Sequence, residues 1–498
     1  MKASWRFPPF LAWVLLALIF ALGLGVRLYR LDTPPLDYHP TRQLHSAIIA
    51  RGMAAGQVAG LTPQQRQMAV TLQNTEGVIE PQVFERLVAF TYRLTGNLDL
   101  RIPRLYAIAF WTLAAVFTTW LAYRLTGWAG ALVSGLLFMA WPYGVTASRA
   151  FLPEPLMLAL IAACLWAADR WLVRHAWGWA IAAGLLGGLA IYVKSTALFI
   201  VGPGLAALVL ADPRAPRAWR NPQVWVMAAL AVLPYLAYLA DGLWLHTYLV
   251  GQFSQRFFPS MWVDPAFYLR WLSNLARVMP VELLLVAALG ALLLPRPYAA
   301  VVLAMLGGYV LYGLTLPHHI STHDYYHLPL FIPAALGLAA AAHAVIDRLG
   351  KPLWLSRLAV SVVLLAALGL NLYTARTQIK RSPAFDQRAA LQEVSAVLPP
   401  GAAVAALTDD YGSALKYYAW INPSVWPASS DRTWQASQSN PQAFESLYQS
   451  LVAGKDYFVI TDLADLEAQI DLKAYLQAHF PVLRRSPGLL IYDLRAQG

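Results

Sequence analysis

The segment Leu36–Arg51, LDYHPTRQLHSAIIAR, gathers Asp37, His39, Arg42, Gln43, His45 and Arg51 directly behind the first long apolar run. Ionisable side chains beside a membrane span are costly unless water or a functional partner meets them. A carboxylate among cations suits one kind of chemistry. It takes the proton of a hydroxyl nucleophile while positive donors steady a departing phosphate. More polar groups follow along the chain. Glu76 and Glu80 come next, Arg149 and Glu154 bracket a turn in WPYGVTASRAFLPEP, and Lys194 stands almost alone between two apolar runs. Gln255, Arg256 and Asp264 share one connecting segment. A last one, PHHISTHDYYHLPL, holds His318, His319, His323, Asp324, Tyr325, Tyr326 and His327.

The elements that must position these groups are membrane helices. Of 498 residues, 58% are apolar and only 13% charged, which excludes an ordinary soluble domain. Nineteen Trp and twenty-four Tyr suit the aromatic belts of a polytopic protein. A helix needs about 20 apolar residues to cross. Eleven runs approach that length: Phe10–Tyr29, Arg101–Tyr123, Gly130–Ala147, Pro153–Asp169, Trp177–Val193, Thr196–Leu210, Val224–Ala240, Trp271–Leu294, Ala299–Leu316, His327–Ile346 and Leu358–Tyr373. The net charge of +11 reflects Arg and Lys in short loops, the positive-inside signature, rather than a nucleic-acid partner. The single cysteine, Cys164, permits no internal disulfide. Lys2 and Arg6 precede an apolar run with no cleavage pattern behind it, so we expect an uncleaved first helix.

Orientation follows from the basic loops. Arg170 and Arg174, then Arg214, Arg217 and Arg220, then Arg348, Lys351 and Arg357 all fall inside if the N-terminus is cytoplasmic and eleven spans follow. Segments 30–100, 148–152, 194–195, 241–270 and 317–326 then lie outside, together with the tail from Thr374. This parity requires Pro81–Gly96 to lie along the interface, as its amphipathic pattern and Glu85, Arg86 and Arg93 suggest. Gln43–Gly56 is a second juxtamembrane helix. The expected architecture is therefore an α-helical bundle over residues 1–375, with its first outer loop at 30–100. A small extracytoplasmic α/β domain follows over 376–498. Its expected strands are Ala402–Leu407, Tyr457–Thr461 and Gly488–Leu494, with helices at Pro441–Val452 and Leu463–Ala478. We find neither a glycine-rich phosphate fingerprint nor a metal-spacing Cys/His motif in it.

Each candidate also has a plainer reading. Asp37 could cap the helix starting near Pro40, and Glu80, before Pro81, could cap the next one. Lys194 could snorkel at a helix end, Tyr325 and Tyr326 could be belt aromatics, and Arg149 with Glu154 could form a structural ion pair. For His319 and His323 the alternative is a divalent cation shared with Asp37 or Glu80. That is the only cofactor the sequence raises.

The ordered motifs over Phe10–Ile346 resemble the GT-C glycosyltransferases that use polyprenyl-phosphate sugars, in the group containing protein O-mannosyltransferases and lipid A aminoarabinose transferases. The elements are GVRLYRLDTPPLDYHPTRQ after the first span, VIEPQVFERL, LRIPRLYA, the WPYGVTASRAFLPEP turn, IYVKSTALF and HDYYHLPL. Asp37 is followed here by Tyr38 and His39 instead of the family's acidic pair, giving an H-P-x-R-Q element. The resemblance implies an inverting glycosyl transfer at the outer face of the plasma (inner) membrane. Asp37 and Glu80 would be its catalytic residues. His39, Arg42, Gln43, Arg149, Lys194, Arg256, His323, Tyr325 and Tyr326 would hold the substrate and donor phosphate. The partners implied are a polyprenyl-phosphate-linked sugar, a lipid, glycan or protein acceptor, and the bilayer. The competing class is a transporter or flippase of a lipid-linked or polar solute, whose inverted repeats and mid-span polar groups are not evident. A third is a scaffold that merely anchors the outer domain.

Overall fold

The computed structural model describes residues 8–212, 220–250, 257–349, 352–437 and 443–496. Gln255 and Arg256 lie outside the described residues, as do Arg214, Arg217 and Lys351 of the basic loops. Contacts divide the chain into two compact units. The first comprises Met1–Leu31, Val78–Phe84 and Pro103–Lys380, and the second Asp32–Gly77, Glu85–Ile102 and Arg381–Gly498.

The first unit is a bundle of apolar helices. Seven described helices are long and apolar enough to cross a bilayer, or eight if the bent pair Pro265–Val278 and Val281–Ala291 forms one span. Trp177–Val193 and Ser195–Ala211 are apolar but shorter. The 40-residue helix Arg101–Ala140 would measure about 60 Å if straight, twice a bilayer's apolar thickness. It turns at Gly127, where φ 68° and ψ −158° leave helical geometry. Close approach between spans depends on small residues. A Cβ on Gly290 would lie 2.1 Å from the Gly337 carbonyl oxygen, and one on Gly337 would lie 2.1 Å from that of Ala287. Helices Val281–Ala291 and Phe331–Ile346 therefore meet backbone to backbone.

Two buried arginines tie helix ends together. Arg27, in the last turn of helix Pro9–Leu28, donates to the carbonyls of Phe138 at 2.9 Å and Met139 at 2.6 Å, and to Ser148 Oγ at 2.8 Å. It thereby satisfies carbonyls that the end of helix Arg101–Ala140 leaves open. Arg149 holds the chain just past the first helix, donating to the carbonyls of Tyr29 at 2.7 Å and Arg30 at 2.8 Å. Arg27 thus sits at the negative end of helix Arg101–Ala140, and Arg149 just past that of helix Pro9–Leu28.

The second unit contains a five-stranded sheet ordered β2-β1-β3-β5-β4. The strands are β1 (Val404–Leu407), β2 (Ser424–Val425), β3 (Tyr457–Ile460), β4 (Val482–Ser486) and β5 (Leu489–Asp493). β1 runs parallel to β2 and β3, whereas β5 is antiparallel to β3 and β4. Its core packs Leu407, Trp426, Phe458, Ile460, Leu472, Leu476 and Tyr492. Helices Pro40–Ala54 and Pro63–Thr75 from the first loop belong to this unit. Arg51 joins them to the C-terminal part. Its guanidinium lies 3.9 Å from the Trp420 ring and 4.4 Å from the Tyr417 ring, and donates to the Tyr417 carbonyl at 2.6 Å.

Candidate active site

In the first unit, the expected residues converge on Lys194. Helix Trp177–Val193 ends immediately before it, and the extended backbone at Lys194 (φ −153°, ψ 118°) stops the helix. Helix Glu154–Arg174 begins with Glu154. A cation at a helix C-terminus and an anion at an N-terminus each complement the local dipole. Here the two meet: Lys194 Nζ donates to Glu154 Oε1, with the side chains 3% and 1% exposed. Glu80 Oε1 stands 3.5 Å from the same ammonium. Aromatic faces complete the enclosure, with Lys194 Nζ 5.0 Å from the Tyr325 ring centroid and 4.7 Å from that of Tyr326. Such contacts contribute roughly 2 kcal/mol when desolvated.

Both tyrosines lie on the 3-10 turn Asp324–Leu330, which follows the short helix Pro317–Thr322. The histidines therefore do not share one helical face. His323 is exposed and packs its ring 5.4 Å from Tyr325 and 6.0 Å from Tyr326. His319 is 5.4 Å from Tyr326. His327 is buried and its Nδ1 lies 2.6 Å from Tyr309 Oη. Among the described residues no three His, Cys, Asp or Glu side chains gather closely enough to hold a metal ion. Arg149 lies on the helix-end carbonyls described above, and Glu154 takes Lys194 as its ion-pair partner.

In the second unit, Asp37 precedes helix Pro40–Ala54, whose N-cap is His39 with no side-chain cap bond. Pro40 disfavours helical backbone at the residue before it, and His39 adopts a left-handed conformation, φ 44°. The His39 ring meets Tyr38 edge-on at 4.5 Å. Gln43 Nε2 donates to the Tyr38 carbonyl, and the Arg42 amide donates to that of His39 at 3.1 Å. Further along this helix, His45 Nδ1 lies 2.6 Å from Glu76 Oε2, and Lys416 Nζ donates to Glu76 Oε1 at 2.8 Å. Burial alone would push the Glu76 carboxyl up, but the hydrogen bonds from His45 and Lys416 outweigh it and hold the group below its ordinary value. Ser46 Oγ donates to Glu85 at 2.7 Å.

Sequence reasoning had singled out Lys194, Glu80, Tyr325 and Tyr326, which this geometry brings together. It did not assign Glu154 to Lys194, nor pair His45 with Glu76 and Lys416. One usable signal was a shared dipeptide: Glu80-Pro81 and Glu154-Pro155 both supply carboxylates to Lys194.

The helices are those of a multi-pass membrane protein, and the fold matches that of solved GT-C structures. Residues 80–240, which contain Glu80, Arg149, Glu154 and Lys194, match the family described as Dolichyl-phosphate-mannose-protein mannosyltransferase. ArnT from Cupriavidus metallidurans bound to undecaprenyl phosphate superimposes with a TM-score of 0.60 at 16% identity, over 96% of this chain and 97% of that one. Its apo state gives 0.58 at 16% identity with the same coverage. The Archaeoglobus fulgidus oligosaccharyltransferase in complex with Zn and sulfate gives 0.54 at 15% identity, over 93% of this chain and 69% of that one. No curated protein sequence matches the chain.

Proposed function

We propose that this protein transfers a sugar from a polyprenyl-phosphate donor to a hydroxyl acceptor at the outer face of the plasma membrane, with inversion. The observation that carries the reading is the enclosed Lys194, reached by Glu154 and Glu80 within the family-matched stretch and flanked by Tyr325 and Tyr326. The named ligand of the similar ArnT structure, undecaprenyl phosphate, supports a lipid-phosphate donor. In our reading Lys194 steadies the phosphate as the glycosidic bond breaks. Glu80, at 3.5 Å, is its looser carboxylate and the one a phosphate oxygen would displace. Asp37 is the proposed base: its carboxylate takes the acceptor proton as the hydroxyl oxygen bonds to the anomeric carbon. No metal has a role in this scheme.

The direct test incubates the purified full chain with a panel of polyprenyl-phosphate sugars and analyses products by mass spectrometry. Wild-type protein should form a glycoside, and Asp37→Asn should fall by about 10²–10⁴-fold while still inserting and folding. Wild-type turnover by that variant would refute the base assignment. Lipid-vesicle transport of solute without any glycoside product would refute the enzyme reading. Orientation is checked separately by replacing Cys164, the only cysteine, and labelling Thr374→Cys from outside intact cells.

A further inference from the structure

Tyr309 and Tyr312 stand three residues apart on helix Arg296–Thr315, and both are buried. Tyr309 is fully engaged: its hydroxyl oxygen accepts from Trp271 Nε1 at 2.6 Å and lies 2.6 Å from His327 Nδ1. Tyr312, 2% exposed, differs, because its hydroxyl meets no hydrogen-bond partner among the described residues. Its ring is held between Phe199, at 5.5 Å between centroids, and Tyr326, at 6.2 Å. Tyr326 is one of the two rings that face Lys194 Nζ, and Glu154 and Glu80 lie near enough for their charges to act on Tyr312. Glu154 supplies the complement. Its Oε1 accepts from Lys194, whereas its buried Oε2 accepts from nothing among the described residues. Buried polar atoms are almost always paired, so each exception calls for a physical account. Here a hydrogen-bond donor and an acceptor are both left over around one ammonium. An anion would be repelled by the carboxylate oxygen, and Lys194 already supplies the cation. A hydroxyl suits both atoms, accepting from the tyrosine and donating to the carboxylate. Glu80 is the most exposed member of the ion-paired group, so the group opens on its side.

We propose that Tyr312 and Glu154 form the subsite for one hydroxyl of the transferred sugar, with Tyr312 Oη donating to its oxygen and Glu154 Oε2 accepting its proton in a hydrogen bond. This inference rests on the glycosyl-transfer reading and deepens it. Once a phosphate oxygen displaces Glu80 from Lys194, the sugar carried on that phosphate arrives beside the same ammonium. Lys194 then holds the phosphate and the two leftover atoms hold the ring. A sugar lacking that hydroxyl leaves both atoms buried and unpaired, the situation in which a hydrogen-bonding site discriminates most strongly.

Tyr312→Phe removes only the hydroxyl and keeps the ring against Phe199 and Tyr326. Purified full-length protein is assayed with undecaprenyl-phosphate glucose, mannose and arabinose as sugar donors and an alkyl glucoside as acceptor. The monodeoxy analogues of each sugar donor it uses follow. Wild type should lose about 100-fold in kcat/KM with one monodeoxy sugar donor. Tyr312→Phe should lose about tenfold with the parent, the effect of one hydrogen bond, and should shrink that one deoxy penalty about tenfold while leaving the others unchanged. Glu154→Gln, whose amide oxygen stays with Lys194 and turns its NH2 towards the hydroxyl, should reduce the same penalty severalfold. Melting temperatures of the variants are measured alongside. Monodeoxy glucosides run in parallel, and a penalty that Tyr312→Phe erases for the acceptor instead would overturn the proposal. Equal losses with every sugar donor, or a lower melting temperature with unchanged kinetics, would assign the Tyr312 hydroxyl to a buried water and also overturn it. The glycosyl-transfer reading would stand in each of these cases. Failure of the wild type to transfer from any of the three sugar donors overturns both.

Discussion

Two buried charged clusters, one in each unit, are built with the signs reversed. In the bundle a lysine is reached by two carboxylates, Glu154 and Glu80. In the second unit a carboxylate, Glu76, is reached by two basic side chains, His45 and Lys416. The difference lies in what replaces water. Lys194 has aromatic faces against it, whose negative quadrupoles substitute for hydration in an apolar setting. Glu76 instead collects hydrogen bonds from two side chains that remain 12–14% exposed. The first cluster is fixed by two helix ends, the second by three segments remote in sequence. A charge enclosed in the bundle should therefore be far less forgiving of a missing partner.

That contrast makes the strongest prediction. Replacing Lys194 by Met should destabilise the protein by roughly 3–5 kcal/mol, since it leaves the buried Glu154 without its cation, and Glu154→Gln, which leaves Glu80 beside the ammonium, should cost less. The double replacement Lys194→Met with Glu154→Met should be closer to wild type than either single one. Unfolding in mixed micelles measures all three. Additive losses would mean the pair is not coupled, and the comparison between the clusters would collapse.

Removing Arg51 should come next. Arg51→Ala gives up stacking on Tyr417 and Trp420 and its bonds to the carbonyls of Tyr417 and Lys416, for an expected loss of about 2 kcal/mol. Arg51→Lys should restore less than half, because an ammonium lacks the planar face and the fork. Full rescue by lysine would show that charge alone, as at Lys194, joins the first-loop helices to the C-terminal part.

The two clusters also differed in how far sequence could reveal them. Lys194 stood out because a lone charge between apolar runs is conspicuous, and helix Trp177–Val193 ends where its run ends. Tyr325 and Tyr326 were legible as part of a motif, though not as a lid over an ammonium. The pairing of Glu76 with Lys416 spans 340 positions, and no local pattern predicts a contact of that range. Among the strands, β1, β3 and β5 fall inside expected runs because they are almost wholly buried and apolar. β4, with sequence VLRRS, is exposed along most of its length and carries neither an apolar run nor an alternation. β2 is only two residues long. Helix Pro63–Thr75 was missed despite a signal that was there to use: Thr62 and Gln65 form a capping box ahead of a weakly apolar segment. The eleven expected apolar runs all fall on helix-bearing segments, while the number of crossings depends on how the kinked helix Arg101–Ala140 and the bent pair are divided.

Acid acts on the second unit in two opposite directions. Glu76 lies below its ordinary value of 4.5, so its contribution to stability is fully present above that value and is lost as pH falls through the lowered one. Asp410 behaves oppositely. Burial and the neighbouring Asp409 push it up to about 6, against the amides of Ala414 and Gly412 and the Thr408 hydroxyl, which favour its ionised form. A raised carboxyl opposes folding when ionised. Stability should therefore increase as pH drops from about 6 towards the unfolded value of 3.8. Acidifying the wild type should give a gain followed by a loss below about 4.5, read as the midpoint of urea unfolding followed by circular dichroism. Asp410→Asn should remove the gain, and Glu76→Gln should blunt the loss. A midpoint that does not fall below about pH 4.5 in the wild type would mean that Glu76 is not held ionised by His45 and Lys416. The opposition between the two clusters would then be one of sequence only.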